Sequence, residues 1–202
     1  MNKTVLITGA TSGIGLGCAH KFAANGDRLI LTGRNVMKLE AIRKDLEAKG
    51  TEVLILAFDI RDREAARKAI ERLPEEWQQI DVLVNNAGLA LGLEPEYQGN
   101  LDDWEIMIDT NIKGLLTMTR LIVPGMIARN SGHIINIGSV AGDAAYAGGN
   151  VYCATKAAVK ALSDGLRIDV AVYAANAPAH VQIAEVLILA THQASGSVIV
   201  RK

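Results

Sequence analysis

Cysteine is nearly missing: Cys18 and Cys153 are all that 202 residues hold. Two such residues build no disulfide framework, so a reducing cytoplasm is the expected compartment and both read as small buried hydrophobes. An excess of either charge is missing too. A formal net charge of −1 gives no electrostatic reason for nucleic acid or an anionic membrane to bind. No apolar run reaches the roughly 18 residues of a membrane span, and Met1-Asn2-Lys3 leads straight into a strand-like segment without a signal-peptide pattern. His20, His133, His180 and His192 show no metal-ligand spacing, so no metal is expected. Linkers, repeats and low-complexity tracts are also lacking, which leaves one domain over 1–202.

What is there is an alternation. Half of the residues are hydrophobic and 21% are charged, the balance of a soluble globular protein. Segments 4–8, 28–32, 53–58, 81–85 and 133–138 are short and rich in Val, Ile and Leu. Such runs read as strands buried on both faces, which is the mark of a parallel sheet. Between them come stripes at helical spacing: Leu39, Ile42 and Leu46, then Ala66, Ile70 and Leu73, then Ile108, Ile112, Leu115 and Ile122 for one longer helix. Strand and helix repeated in this way predict an α/β fold, a doubly wound Rossmann-type parallel sheet with right-handed crossovers.

The first strand runs into Gly9-Ala10-Thr11-Ser12-Gly13-Ile14-Gly15, after which a helix begins. Glycines between a strand and a helix let backbone N–H groups approach a pyrophosphate, where the helix dipole favours negative charge. The spacing is G-x-x-x-G-x-G rather than the commoner G-x-G-x-x-G, but its place on the first strand of an alternating chain points to a dinucleotide. Roughly 20 residues on, where an acidic residue would bind the ribose hydroxyls of NAD, stand Gly33, Arg34 and Asn35. Arg34 can grip a 2′-phosphate with two N–H donors, and no carboxylate sits in that turn, so NADP(H) is expected over NAD(H). A solvated arginine opening a helix is the competing reading. Asp59, followed by Ile60 at the end of the third strand, suits the adenine amino group, with a helix cap as its alternative role. Asn86, Ala87 and Gly88 follow the fourth strand and leave room for a ribose at the edge where open α/β sheets bind ligands.

Ser139 follows the fifth strand and so reaches the same edge, while Tyr152 and Lys156 stand four apart on one face of a helix that starts near Asn150. A phenol with an unperturbed pKa near ~10 is a poor base at neutrality, and a neighbouring ammonium favours the phenolate. A tyrosine tuned in this way exchanges a proton with an alcohol or carbonyl oxygen. Tyr-x-x-x-Lys alone is common on helix surfaces. Its combination with Ser139, thirteen residues earlier, and with the glycine turn is the specific signal.

Together, Thr8 to Gly15, Asn85-Asn86-Ala87-Gly88, Asn111, Ser139, and Tyr152 with Lys156 resemble the short-chain dehydrogenase/reductase family. The resemblance implies that Tyr152 is the general acid/base and that Lys156 lowers its pKa and binds the nicotinamide ribose. It implies also that Ser139 orients the substrate and that Asn111 supports a proton-relaying water; a structural polar residue is the other reading of Asn111. The runs 85–92, 104–105 with 107–111, 132–139 and 146–152, with Pro178-Ala179-His180-Val181, look like the NADP-dependent 3-hydroxy acid (serine/allo-threonine) dehydrogenases. The expected activity is hydride exchange at the 3-hydroxyl of a small hydroxy acid, in a homotetramer. The alternatives are a carbonyl or 3-oxoacyl reductase and a non-catalytic NADP-binding protein. The stretch 89–101, with Gly92, Pro95 and Gly99, either flanks the substrate or is a plain surface loop.

One departure stands out. After Val170 the family pattern implies a sixth strand, a turn over the nicotinamide and a substrate loop, roughly fifty residues in all, but here Ala171 follows at once. Loss of an interior strand would expose two sheet edges at a cost beyond the ~5–15 kcal/mol that holds a domain together. The expectation is therefore a longer natural chain at Val170/Ala171, with a truncated protein as the alternative and the last strand at 181–189.

Overall fold

A computed structural model describes residues 2–174 and the strands Val181–Val186, Gln193–Ser195 and Val198–Ile199. Six parallel strands form the sheet: β1 (Thr4–Ile7), β2 (Arg28–Gly33), β3 (Val53–Ala57), β4 (Val82–Asn85), β5 (Gly132–Ile137) and β6 (Val181–Val186). Their order is β3-β2-β1-β4-β5-β6. The helices are α1 (Gly13–Ala24), α2 (Val36–Glu47), α3 (Arg63–Glu71), α4 (Leu101–Ile108), α5 (Leu115–Ala128) and α6 (Asn150–Ala174). The order reverses at β1, whose neighbours are β2 on one side and β4 on the other. The crevice beyond the carboxyl ends of β1 and β4 is thus the ligand position of a doubly wound sheet.

Side-chain alternation divides the core between the two faces of the sheet. Val5, Ile7, Leu29 and Leu31 pack with Ala19, Leu39 and Leu46 of α1 and α2. Leu6, Ile30, Leu83 and Ile134 face the other way, against Ala66 of α3 and Met118 and Met126 of α5. Both clusters are buried, so truncating a central residue such as Leu6 to Ala costs about 2–5 kcal/mol. Short polar residues start the peripheral helices: the Asn35 side chain accepts from Lys38 N at 2.9 Å and Asp62 from Ala65 N at 2.9 Å.

Two expectations are corrected. The apolar stripe from Ile108 to Ile122 does not form one α-helix, because a π-helical turn, Asp109–Gly114, separates α4 from α5. Its wider turn inserts an extra residue without interrupting the apolar pattern, which is why the stripe looked continuous. Nor does the sheet keep a place for a missing interior strand. Helix α6 runs unbroken through Val170 and Ala171, and β6 pairs directly with β5, from Gly132↔Val181 to Ile137↔Val186. The Val-Gln-Ile-Ala-Glu-Val run of β6 closes against β5, so the two exposed edges on which the expected cost rested are never created. Pro178, Ala179, His180 and His192, and the final three residues of the strand expected at 181–189, lie outside the described residues. A two-stranded antiparallel ribbon of β7 (Gln193–Ser195) and β8 (Val198–Ile199) completes the described chain.

Candidate active site

The chain leaves β1 through a turn that only glycine can make. Gly9 has φ +65°, and a Cβ there would lie 2.9 Å from Ala87 Cα. The loop after β4 locks this turn. Asn86 donates through Nδ2 to the carbonyls of Thr8 and Gly9 at 2.8 and 3.1 Å, while Thr8 Oγ1 accepts the N–H groups of Asn86 and Ala87, both at 3.0 Å. A Cβ on Gly15 would stand 2.4 Å from Asn86 Nδ2 and 2.5 Å from the Gly9 carbonyl. The two loops therefore close on one another through space that side chains would fill.

Helix α1 differs from its neighbours at its start. Ser12 makes no side-chain cap, and the first turn holds no acidic residue, so the opening N–H groups of α1 face the cleft for an anionic ligand to satisfy. Thr11 packs on Gly33, where a Cβ would come 2.9 Å from Thr11 Cγ2. Beside it the Arg34 side chain is 65% exposed, and its Nη1 lies 3.9 Å from Asp59 Oδ2. A carboxylate thus approaches Arg34 from the next strand, although none sits in the turn itself. Asp59 accepts two hydrogen bonds from Arg61 Nε at 3.1 Å and one from its Nη2 at 2.7 Å. These bonds to Arg61 hold its carboxyl below its usual range. The cap that was its alternative role belongs to Asp62.

Across the crevice, Ser139 Oγ accepts the Ala141 N–H at 3.2 Å and starts a short 3₁₀ turn, Val140–Gly142. Accepting that bond leaves the hydroxyl hydrogen available for donation. One turn apart on α6, Tyr152 and Lys156 face the cleft, with Lys156 Nζ 5.9 Å from the Tyr152 ring centroid. Lys156 Nζ donates to the Ile137 carbonyl at 2.8 Å, and burial pushes its amine down to about 8. Behind them lies Asn111, 2% exposed, in the π-helical turn. Its Nδ2 donates to Leu89 O at 2.8 Å and to Thr155 Oγ1 at 3.0 Å, while its Oδ1 accepts Leu89 N at 2.9 Å.

One cleft of about 690 Å³ is lined by Gly9, Thr11 to Ile14, Arg34, Asp59, Ile60, Asn86 to Gly88, Ser139, Tyr152 and Lys156. Gly15, Asn35 and Asn111 do not line it. Gly15 packs behind the turn, Asn35 caps α2, and Asn111 ties the cleft wall to α6. The same lining holds Val140, which sequence reasoning missed, Tyr146, to which it gave no role beyond the 146–152 run, and Ala90, which it placed only within 89–101. Val140 comes three residues after β5 and Ala90 five after β4, both on loops at the carboxyl edge of the sheet, and that position was their available signal. Segment 89–101 does more than cover surface: residues from Ala90 to Asn100 line a second cavity of about 320 Å³, with Trp104, Met107, Tyr146 and Tyr152. Among the described residues no helix is long and apolar enough to cross a membrane.

A family model described as short chain dehydrogenase matches residues 3–187. The chain is 54% identical over 165 residues to an NADP-dependent 3-hydroxy acid dehydrogenase of Salmonella typhi, covering 82% of this chain and 65% of that one. It is 49% identical over 169 residues to a serine 3-dehydrogenase of Rhizobium radiobacter, covering 84% and 66%. Among solved structures, serine dehydrogenase from Escherichia coli superposes with a TM-score of 0.83 at 47% identity, over 90% of this chain and 80% of that one. The closed form of serine dehydrogenase complexed with NADP+ superposes with a TM-score of 0.84, also at 47% identity, covering 91% and 71%. The chain spans about 65% of the length of the curated 3-hydroxy acid dehydrogenase it matches.

Proposed function

The chain belongs to the short-chain dehydrogenase family, and on that premise we propose that it is an NADP(H)-dependent oxidoreductase acting on the 3-hydroxyl of a small hydroxy acid. The observation that carries this reading is that Ser139, Tyr152 and Lys156 line the same cleft as the glycine turn after β1. The names of the Salmonella typhi and Rhizobium radiobacter relatives support the substrate class.

The residues present fit the dinucleotide. Gly9 and Gly15 leave the space that a Cβ would fill, the uncapped start of α1 offers N–H groups to a pyrophosphate, and Arg34 offers a guanidinium to a 2′-phosphate. Asp59 and Ile60 flank the adenine end, and Asn86, Ala87 and Gly88 the ribose. The nicotinamide, when bound, supplies hydride transfer to or from the substrate carbon. Tyr152 takes the alcohol proton at its phenol oxygen, or returns it to the carbonyl. Ser139 donates its hydroxyl hydrogen to the reacting oxygen, its own lone pair being held by Ala141 N–H. Lys156 anchors one N–H on Ile137 O and keeps two for the ribose hydroxyls and the field at Tyr152. Asn111 holds Leu89 and Thr155 and so fixes the wall behind Lys156.

The proposal includes a cytoplasmic homotetramer. Exposed Leu101 and Ile108 on α4 and Leu116 on α5 support self-association, which sedimentation velocity measures.

NADP+ reduction assayed against serine, allo-threonine, 3-hydroxypropionate and 3-hydroxyisobutyrate tests the activity. Turnover of at least one, abolished in Tyr152→Phe with NADPH binding retained, is the expected result. Reduction of other carbonyls or 3-oxoacyl thioesters, with no activity on the hydroxy acids, moves the enzyme to the reductase reading. The rival from another class is an NADP-binding protein without catalysis. NADPH binding with no turnover on any of these compounds establishes it.

A further inference from the structure

Two cavities meet at one wall. The nucleotide cleft and the second chamber, of about 320 Å³, share three lining residues: Ala90, Tyr146 and Tyr152. Ala90 contributes only a methyl group, so the partition is made of two tyrosine rings. Tyr152 is taken by the chemistry proposed above. Tyr146 is not.

The Tyr146 ring is fixed from behind. A Cβ on Gly149 would lie 2.2 Å from its Cε2 and 2.4 Å from its Cζ, so the ring packs directly on a buried glycine backbone. Gly148 has φ +74°, and a Cβ there would come 2.2 Å from the Leu93 carbonyl oxygen. The Gly148-Gly149 turn is thereby pressed against the loop that forms the chamber's far wall. With glycine backbone on one side and the chamber on the other, the ring has no room to draw back toward Gly149. Close-packed surroundings of this kind discriminate by volume. The charged side chains lining the chamber are Glu94, Glu96 and Asp103, with no Lys or Arg among them. A substrate's carboxylate is disfavoured there, and an uncharged or ammonium-bearing end is accepted.

We propose that Tyr146 is a specificity-determining residue: seated on Gly149, its ring limits the substituent that the reacting carbon can place in the chamber to a small one. This rests on the proposed dehydrogenase reading and deepens it. It predicts that serine-sized molecules fit and that a ring on the reacting carbon does not.

The test uses the full chain saturated with NADP+, with serine and 3-phenylserine as probes. Turnover and calorimetric binding of each probe are both measured. The unsubstituted protein prefers serine. Tyr146→Ala shifts the ratio of kcat/KM, and of affinity, toward 3-phenylserine by about tenfold or more, mainly through KM. Tyr146→Phe keeps the ring and the original ratio. Gly149→Ala pushes the ring into the chamber and raises KM for serine. Tyr146→Leu replaces the alanine variant if melting shows that one unfolded. An unchanged ratio in the truncated variant overturns the proposal, as does an equal shift in Tyr146→Phe. Serine binding without turnover sinks the proposed activity alone. Failure of the unsubstituted NADP+ complex to bind either probe removes the chamber's assignment, and this proposal with it.

Discussion

Lys156 Nζ lies 2.8 Å from the carbonyl oxygen of Ile137, the last residue of β5, and this bond ties α6 to the sheet just where the chain turns into Ser139. The lysine is 7% exposed, and burial lowers its amine from the ordinary 10.5 to about 8.

The stability consequence has a definite sign. Below about 8 both folded and unfolded chains hold the proton, and the full cost of burying the ammonium is felt. Between about 8 and 10.5 the unfolded chain binds more protons, so stability rises with pH across that window and levels off above it. Lys156→Met removes the titration and serves as reference, with both proteins carrying Tyr152→Phe so that the neighbouring phenol does not titrate in the same window. Urea unfolding of the pair is expected to show the difference moving in favour of the unsubstituted protein by about 3 kcal/mol over the window. A difference that stays flat with pH rejects burial as the cause.

The glycines of the first turn separate three physical effects. Gly15→Ala drives a methyl against Asn86 Nδ2 and Gly9 O, costing about 1–3 kcal/mol of stability and opening the loop proposed to receive the pyrophosphate. Gly13→Ala meets nothing within 4 Å but keeps φ at +54°, a strain of about 1–2 kcal/mol. Gly17→Ala meets nothing and sits inside α1, so it gains about 0.5–1 kcal/mol. Denaturation curves rank the three. NADPH fluorescence titration should show a large loss of affinity for Gly15→Ala and none for Gly17→Ala; equal affinities in the two would separate the Asn86 clamp from nucleotide binding.

Much of this was legible in the chain for a simple reason. Central parallel strands are buried on both faces, so β1, β2 and β4 appear as unbroken apolar runs. The glycine turn was legible because positive φ at Gly9 and Gly13, with close approach at Gly9, leaves few alternatives there. What stayed hidden depends on contacts between distant segments. The direct pairing of β6 with β5 is a matter of register that neither strand announces alone. The π-helical turn conceals one extra residue inside a continuous apolar stripe. Asn35 illustrates ambiguity of another kind, since a short amide beside a phosphate site serves as ligand or as cap, and only the bond from Lys38 N at 2.9 Å shows which function the side chain performs here. Tyr146 stood in the run 146–152 without a role of its own, because the role argued above depends on Gly149 behind it and on the loop opposite.

Arg34 governs cofactor choice in this reading. Asp59 already accepts three hydrogen bonds from the Arg61 guanidinium, so the guanidinium of Arg34, 3.9 Å away, is not required to neutralise it and is available to a phosphate. Charge-assisted hydrogen bonds are worth about 1.5–3 kcal/mol each. Arg34→Ala should therefore reduce the preference for NADP+ over NAD+ by about tenfold or more, with NAD+ affinity little changed and the salt dependence of NADP+ binding weakened. Equal losses for both nucleotides would show that Arg34 stacks on adenine instead of reading the phosphate.

Asn111 joins three elements with one side chain: the π-helical turn that carries it, the Leu89 backbone after β4, and Thr155 on α6. Its amide matches Leu89 as donor to O and acceptor from N, a pairing that a carboxylate cannot reproduce, because Asp would set an acceptor against the Leu89 carbonyl. Asn111→Asp and Asn111→Ala should each release the 89–90 wall, whereas Thr155→Val removes one bond and leaves the Leu89 tether intact. The tethered bonds are partly buried, so their loss costs about 1–3 kcal/mol. Hydrogen exchange at the Leu89 amide provides the direct measurement. Exchange is expected to accelerate in both Asn111 variants and to stay slow in Thr155→Val. Because Leu89 and Ala90 both line the nucleotide cleft, the same variants should weaken NADPH binding in parallel with that exchange. Weakened binding with Leu89 still protected would mean that Asn111 acts on the cleft by a route other than this wall.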